Sequence, residues 1–380
     1  MMIPFNRPLN LGGEAQAVAT ALALGELASG QAIRACEQWF EHHTGAHQAL
    51  MMPSCTHALE LAALLAGIGP GDEVIMPSYT FASTANAFVL RGATPVFVDI
   101  RPDTCNMDES LVEAAITPRT RAIVPVHYAG VSCEMSSIMA LADKYGLIVI
   151  EDAAQGMMAT WRDRPLGSIG HFGAYSFHAS KNFTSGGEGG VLLVNDARFV
   201  ERAEVLREKG TDRAAFLRGL VSRYSWRDVG SSYVPSEIQA ACLLVQLDQA
   251  EQVNAARRAL WHRYRDAFAA HALAGIVSLP DVPDDCAHNG HLFYLILPSA
   301  SARDDVLRAA VAQGVGATSH YVPLHSSPAG IRWCRFHGAD RYTSSLASRI
   351  VRLPLFYSLG SAEQAAVVAV VSDLLNGQAP

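Results

Sequence analysis

The stretch Gly173-Ala174-Tyr175-Ser176-Phe177-His178-Ala179-Ser180-Lys181, with Gly186-Gly187-Glu188-Gly189-Gly190 close behind it, reads as a buried strand that delivers one lysine into a turn. The turn's glycines let backbone approach closely to whatever is bound there. A lysine placed this way suits imine chemistry, because desolvation disfavours its ammonium form and the free amine condenses with an aldehyde. Most lysines beside turns are solvated surface groups, so this segment alone leaves both readings open.

Outward from it, short apolar runs alternate with helical patterns between about Glu73 and Val194: Val74-Ile75-Met76, Pro95 to Val98, Ala122 to Val126, Leu147 to Ile150, Tyr175-Ser176-Phe177 and Val191 to Val194. Strands that are apolar throughout and spaced by helices imply a mainly parallel sheet covered on both faces, with the ligand crevice beyond its carboxyl ends. At 380 residues the chain is long enough for two domains, and the expected division is a large unit over residues 1–250 and a smaller α/β unit over residues 251–380. Ser236 to His271 reads as the connecting helix or helices, Leu292 to Leu297 as a strand, and Asp304 to Gln313 as a helix.

The carboxyl-end rule directs attention to the residues after each run. Asp152 follows Leu147 to Ile150, with Gln155 close by. It either caps the next helix or faces a heteroaromatic nitrogen and keeps it protonated. Pro53-Ser54-Cys55-Thr56 opens a helical run from His57 to Ala66. Its hydroxyls either cap that helix or share an anion site with its free N–H groups. In such a site the helix dipole supplies about 0.3–1 kcal/mol. Each hydrogen bond to a charged group supplies about 1.5–3 kcal/mol, so converging donors outweigh the dipole. Phe81 is either ordinary core or a stacking surface for a flat ring. An anion cradle, a stacking ring, an acid and a lysine together are what pyridoxal phosphate requires.

Thr80-Phe81, Glu151-Asp152-Ala153-Ala154-Gln155, Ser176-Phe177-His178 to Lys181, Gly187-Glu188-Gly189-Gly190 and Gln239-Ala240-Ala241 resemble the sugar-nucleotide aminotransferases of the DegT/DnrJ/EryC1/StrS type, over essentially the whole chain. The resemblance implies a fold-type-I, aspartate aminotransferase-like α/β enzyme that binds pyridoxal 5'-phosphate and forms a homodimer with shared active sites. It implies that Lys181 carries the cofactor covalently, Asp152 pairs with the ring nitrogen, Gln155 approaches the ring hydroxyl and Phe81 stacks on the ring. Cys55, Thr56 and Ser176 would bind the phosphate. Many relatives read Gly-x-Asn-x-Arg where this chain has Gly230-Ser231-Ser232-Tyr233-Val234, so Ser232 stands where an asparagine would reach the neighbouring subunit's phosphate.

A narrower resemblance runs through Glu208 to Arg213, Trp226 to Tyr233, His320-Tyr321-Val322-Pro323-Leu324-His325 and Arg352 to Tyr357. These stretches are similar to the transaminases that make dTDP-4-amino-4,6-dideoxygalactose for enterobacterial common antigen, in which Ser-Ser replaces the asparagine motif. This group implies dTDP-4-keto-6-deoxyglucose as acceptor and glutamate as donor, with His320 and His325 near the sugar unless they are structural. Lys181 argues against the dehydrating relatives, which carry histidine there.

Composition sets the remaining bounds. A formal net charge of −7 argues against a nucleic-acid partner. No apolar run approaches a membrane span, and Met1 to Pro8 lacks the form of a signal peptide. Seven scattered cysteines without a C-x-x-C read as reduced cytoplasmic thiols and not as a zinc site; no metal is expected. With 50% hydrophobic and 17% charged residues, little polar surface is spare, a shortage that an oligomer relieves. The eight basic residues from Arg198 to Arg227 are either a solvated face, given the interleaved acids, or holders of a diphosphate. A nicotinamide enzyme is disfavoured because no G-x-G-x-x-G joins an early strand to its helix. Another nucleotide amino-sugar transaminase with a different sugar or stereochemistry, and a non-catalytic sensor or regulator on the same fold, are the remaining alternatives.

Overall fold

The structure, a computed structural model, describes residues 2–25, 27–28 and 30–377. Eight strands form the main sheet: β1 (Gln48–Met52), β2 (Glu73–Pro77), β3 (Thr94–Val98), β4 (Thr120–Ile123), β5 (Ile148–Asp152), β6 (Phe172–Ser176), β7 (Gly190–Val194) and β8 (Arg335–Phe336). Their spatial order is β1-β7-β6-β5-β4-β2-β3-β8, and only β7 runs antiparallel to its neighbours.

Both faces of this sheet are buried, which is why its strands read as unbroken apolar runs. Alternation splits them cleanly. Leu50, Met52, Val74, Met76, Phe97, Ile150, Phe172 and Leu192 meet helices Cys55–Leu65, Ala82–Val89 and Val200–Arg207 on one face. Met51, Val191, Leu193 and Tyr175 meet helices Gln31–Thr44 and Glu237–Leu247 on the other. There Ile75, Val98, Ile123 and Val149 continue the layer onto Met135–Tyr145.

A second core surrounds the antiparallel pair β9 (Phe293–Ile296) and β10 (Ile350–Leu353). Helices Ala300–Ala312 and Ser361–Asn376 close it together with Trp261, Tyr264 and Phe268 of the long helix Ala250–Leu273. Two segments cross the expected division at residue 250. Ile3 packs into this second core and bridges to Val315, while Arg335–Phe336 joins the main sheet beside β3.

Between the two cores lies a seam of aromatic residues, Tyr79, Tyr128 and Tyr294, all nearly inaccessible. Period-two alternation along β10 sends Val351 and Leu353 into the second core and Ile350 into this seam. Arg352 therefore faces the main sheet. The seam is tied by Asp99, just past the carboxyl end of β3, which accepts hydrogen bonds from Arg341 N, Tyr342 N, Thr343 N and Thr343 Oγ1 at 2.6–2.9 Å.

Candidate active site

The carboxyl ends of β5 and β6 open into a cavity of about 450 Å³. Lys181, Asp152, Gln155, Cys55, Thr56, Phe81, Ser176 and His320 all line it, so eight of the ten expected site residues converge there from five separate segments. Ser232 and His325 do not line it.

Lys181 reaches the cavity because β6 ends at Ser176 and the chain then turns back on the glycine-rich segment. Phe177 N donates to Gly189 O at 2.8 Å, Ala179 N to Gly187 O at 2.8 Å and Lys181 N to His178 O at 2.9 Å. Next to the lysine, Asn182 Nδ2 donates to Asn289 O at 3.1 Å, and its Oδ1 lies 2.9 Å from His291 Nδ1, which pins the turn to the smaller unit. Lys181 Nζ forms no hydrogen bond or ion pair among the described residues. Burial holds its ammonium pKa below the usual lysine value; Cys55, Asp152 and Glu188 push it back up, and Arg352 lowers it further. That is the condition in which an amine condenses with an aldehyde and later accepts a proton.

Asp152 is the last residue of β5 and is 5% exposed. Its Oδ2 accepts from Thr84 Oγ1 at 2.7 Å, Thr84 is itself 2.7 Å from Thr80 Oγ1, and its Oδ1 accepts from Ala154 N at 3.1 Å. The carboxylate is thus held in place from the back while its cavity side stays available. Behind it, Glu151 accepts from Gly167 N, Ile169 N and Gly170 N and meets His127 Nε2 at 2.8 Å, so the strand end cannot shift alone. Gln155 is oriented by accepting from Ala129 N at 2.7 Å and donating to Tyr321 Oη at 3.1 Å.

The anion end is the start of helix Cys55–Leu65. Ser54 caps it by accepting from His57 N at 3.2 Å, and Ala58 N takes Ser54 O. Cys55 N and Thr56 N donate to nothing among the described residues, which leaves two N–H groups and the Ser176 hydroxyl for an anion. Gly190 makes this possible: a Cβ there would lie 2.4 Å from Cys55 N and 2.4 Å from the Ser54 carbonyl carbon. Phe81 precedes helix Ala82–Val89 at the rim and is 63% exposed, so it is a free ring face and not core. These donors, this ring, this acid and this amine fit pyridoxal phosphate group by group.

Thr84 lines the cavity beside Asp152, and the opposite wall contains Phe5, His291, Tyr321 and Arg352; sequence reasoning gave none of these five a site role. His320 stacks on Tyr321 with ring centroids 3.9 Å apart and meets the Arg352 guanidinium through Nε2. Burial, with Arg352 and Lys181 nearby, drives its pKa far below the usual histidine value, so the ring is neutral. One signal pointed to Arg352, a charged residue inside the apolar run Ile350 to Leu353.

His325 is engaged elsewhere: Nδ1 lies 2.7 Å from Ser78 Oγ and Nε2 lies 3.1 Å from Asp340 Oδ2. It fastens the Leu324 loop to the end of β2. Ser232 is exposed and bridges to Glu208 in an outer loop. Of the eight basic residues from Arg198 to Arg227, seven pair with acids, for example Arg207 with Glu37 at 2.7 Å and Arg218 with Glu204 at 2.6 Å. None lines the cavity, so the mixed-charge face is the reading their positions favour within one chain. Among the described residues no cluster of metal-ligating side chains occurs, and no helix is long and apolar enough to cross a membrane.

The profile of the DegT/DnrJ/EryC1/StrS aminotransferase family matches residues 12–372. The chain is 37% identical over 388 residues to the spore coat polysaccharide biosynthesis protein SpsC of Bacillus subtilis (strain 168), covering 99% of this chain and 97% of that protein. The structure of S. venezuelae DesV in complex with a ketimine intermediate superposes with a TM-score of 0.88 at 32% identity, covering 98% of each chain. The aminotransferase TlmJ from Streptoalloteichus hindustanus gives a TM-score of 0.91 at 28% identity over 100% of both chains. The aspartate aminotransferase-like fold expected from the sequence is the one found, and the chain belongs to the DegT/DnrJ/EryC1/StrS aminotransferase family.

Proposed function

We propose that this sugar aminotransferase moves the amino group of glutamate onto a nucleotide-linked 4-keto-6-deoxyhexose. The acceptor we assign is dTDP-4-keto-6-deoxyglucose, giving dTDP-4-amino-4,6-dideoxygalactose and 2-oxoglutarate. The observation that carries the reading is the convergence of Lys181, Asp152 and the uncapped start of helix Cys55–Leu65 on one cavity. The likeness to a protein of spore coat polysaccharide synthesis supports an amino sugar destined for a surface polysaccharide.

The cofactor is pyridoxal phosphate, and when bound it supplies an aldehyde for the amine and a protonated ring that takes up the electron pair freed at carbon. Cys55 N, Thr56 N and the Ser176 hydroxyl would hold its phosphate, Phe81 would cover its ring, and Gln155 would meet the ring hydroxyl. Asp152 keeps the ring nitrogen protonated by opposite charge. Lys181 would be the cofactor's covalent anchor, and its Nζ, with the ammonium form disfavoured by burial, would take the donor's Cα proton and return it in the next step. The same residues act in reverse on the keto-sugar. His320 lies where either substrate passes.

We further assign a homodimer, in which Ser232 and its loop meet the partner's cavity. Support comes from Leu217, Leu220, Tyr224 and Trp226, which are 62%, 70%, 53% and 79% exposed on the segment leading to that loop. An apolar patch of this kind is normally covered. All seven cysteines are free, which supports a cytoplasmic enzyme. We assign the large cofactor-binding unit to residues 1–250 and the small unit to residues 251–380, apart from the two crossing segments.

The test is a panel of dTDP- and UDP-linked keto-sugars supplied with glutamate, with products read by mass and NMR. The expected product carries an axial 4-amine on a dTDP-linked 6-deoxyhexose. An equatorial amine, or turnover confined to UDP-sugars, overturns the substrate assignment and leaves the transaminase.

A further inference from the structure

One residue on the cavity wall is held at every polar atom but one. His291, just before β9, is 7% exposed and lines the cavity together with Lys181. Its backbone N donates to Asn289 Oδ1 at 3.0 Å, and its carbonyl accepts from Arg257 Nη2 at 2.8 Å. Its ring Nδ1 lies 2.9 Å from Asn182 Oδ1, and the direction of that amide is settled independently, because Asn182 Nδ2 donates to the carbonyl of Asn289 at 3.1 Å. An amide oxygen accepts and never donates, so Nδ1 bears the proton. Burial, with Lys181, Arg257, Arg352 and His320 nearby, holds the ring's pKa well below the usual histidine value. A neutral ring with its proton on Nδ1 has a bare lone pair on Nε2. That nitrogen forms no hydrogen bond among the described residues.

We propose that Nε2 of His291 accepts a hydrogen bond from the free Lys181 amine, which makes His291 a positioning residue for the base. This rests on the transaminase reading above. Asn182, which fixes the imidazole, is the residue next to Lys181, so ring and lysine turn share one anchor. Other acceptors deep in the cavity are engaged. Asp152 is bonded to Thr84 and Ala154 N on one side and assigned to the cofactor on the other, Gln155 Oε1 accepts from Ala129 N, and His320 Nδ1 faces the Tyr128 hydroxyl at 3.4 Å. An acceptor that takes an N–H of the amine aims its lone pair toward the substrate carbon. Once the amine has gained a proton, the same bond becomes charge-assisted and stronger. His291 thus supports the lysine's basicity against the burial that lowers it. A substrate hydroxyl is the competing donor for Nε2. The shared tie to Asn182 favours the lysine, because it keeps the two groups in register whether or not substrate is bound.

The test titrates Lys181 in the full-length, cofactor-free chain, through the pH dependence of its acylation by acetic anhydride read by peptide mass spectrometry, in wild type, H291M and H291Q. Methionine and glutamine are close in shape, and only glutamine keeps an acceptor. H291M is expected to lower the Lys181 pKa by about one unit, a shift of about tenfold, because a bond to a charged donor is roughly twice as strong as one to a neutral donor. H291Q should recover most of that shift. A merely structural role predicts the opposite sign, since a loosened cavity admits water and lets the value rise toward that of an ordinary lysine. An H291M value at or above that of wild type overturns the proposal, as does an equal fall in both variants. If a hydroxyl is the donor instead, H291M leaves Lys181 unmoved and raises the KM for the keto-sugar, which also overturns it. Selective nitrogen-15 histidine NMR of the wild-type chain needs no variant: a protonated Nδ1 and a bare Nε2 on His291 are expected, and the reverse tautomer or a doubly protonated ring overturns the proposal. A wild-type protein that takes up no pyridoxal phosphate removes the transaminase reading alone, because the lysine titration does not depend on the cofactor.

Discussion

The two walls of the cavity are built by different rules. On the main-sheet wall each group is held by neighbours whose own bonds are complete: Thr84 and Ala154 N hold Asp152, three amides and His127 hold Glu151, and Gly189 and Gly187 hold the lysine turn. On the wall from the smaller unit, Arg352 has a buried Nε with no hydrogen-bond partner among the described residues, and His320 is neutral and stacked. A resident group can be gripped by a preorganised wall. Substrates that must enter and leave twice per cycle are better met by groups that become satisfied only while they are bound.

The comparison breaks most directly at Lys181. Lys181→Ala should retain weakened cofactor binding and lose transamination by about 10⁴-fold or more, since proton transfer alone contributes up to about that factor. Single-turnover absorbance with glutamate measures it, and substantial residual turnover would show that the first wall does not supply the base. Asp152→Asn follows, at about 10²- to 10³-fold, because an opposite charge this close is worth one to three pKa units to the ring nitrogen. Thr84→Val leaves the carboxylate but removes its 2.7 Å donor. We expect about tenfold slower turnover with cofactor still bound; a loss as large as that of Asp152→Asn would mean that Thr84 does more than orient.

Gly190→Ala sharpens the contrast differently. Backbone atoms at 2.4 Å cannot yield as a side chain would, so the start of helix Cys55–Leu65 must move. The overpacking costs about 1–3 kcal/mol, and equilibrium dialysis should show cofactor affinity falling while the geometry around Arg352 stays intact.

Asp99 gives the smallest effect, on stability alone. Burial raises its pKa, but the bonds from Thr343, Tyr342 and Ile100 outweigh that and hold the carboxyl below its usual value of 3.8. A depressed folded pKa means its contribution is present above about pH 4 and is lost as pH falls through the folded value. Acid unfolding of Asp99→Asn should therefore lose the part of the low-pH slope that this group supplies. An unaltered acid limb would show that the seam does not depend on it.

The first wall was legible in sequence and the second was not, for a physical reason. Residues that line the cavity follow the ends of parallel strands, and those strands announce themselves as apolar runs, so Asp152 and Lys181 could be placed from Leu147 to Ile150 and from Tyr175 to Phe177. β1, Gln48–Met52, escaped because its Gln-Ala-Leu-Met-Met carries no β-branched residue. The reversed direction of β7 leaves no local mark, since a strand buried on both faces looks alike either way. His320 and His325 occupy one turn at similar spacing, yet the first enters the cavity and the second turns to Ser78 and Asp340. That choice is made by tertiary packing. Arg352 and Phe5 meet only because residues from the two ends of the chain share the smaller unit, a contact that no local pattern encodes.

Reduction of the holoprotein with borohydride, followed by peptide mapping, tests the central claim most directly. A pyridoxyl group fixed on the peptide containing Lys181, and on no other, is the predicted result. An unmodified Lys181 peptide, or pyridoxyl on a different lysine, would contradict the account.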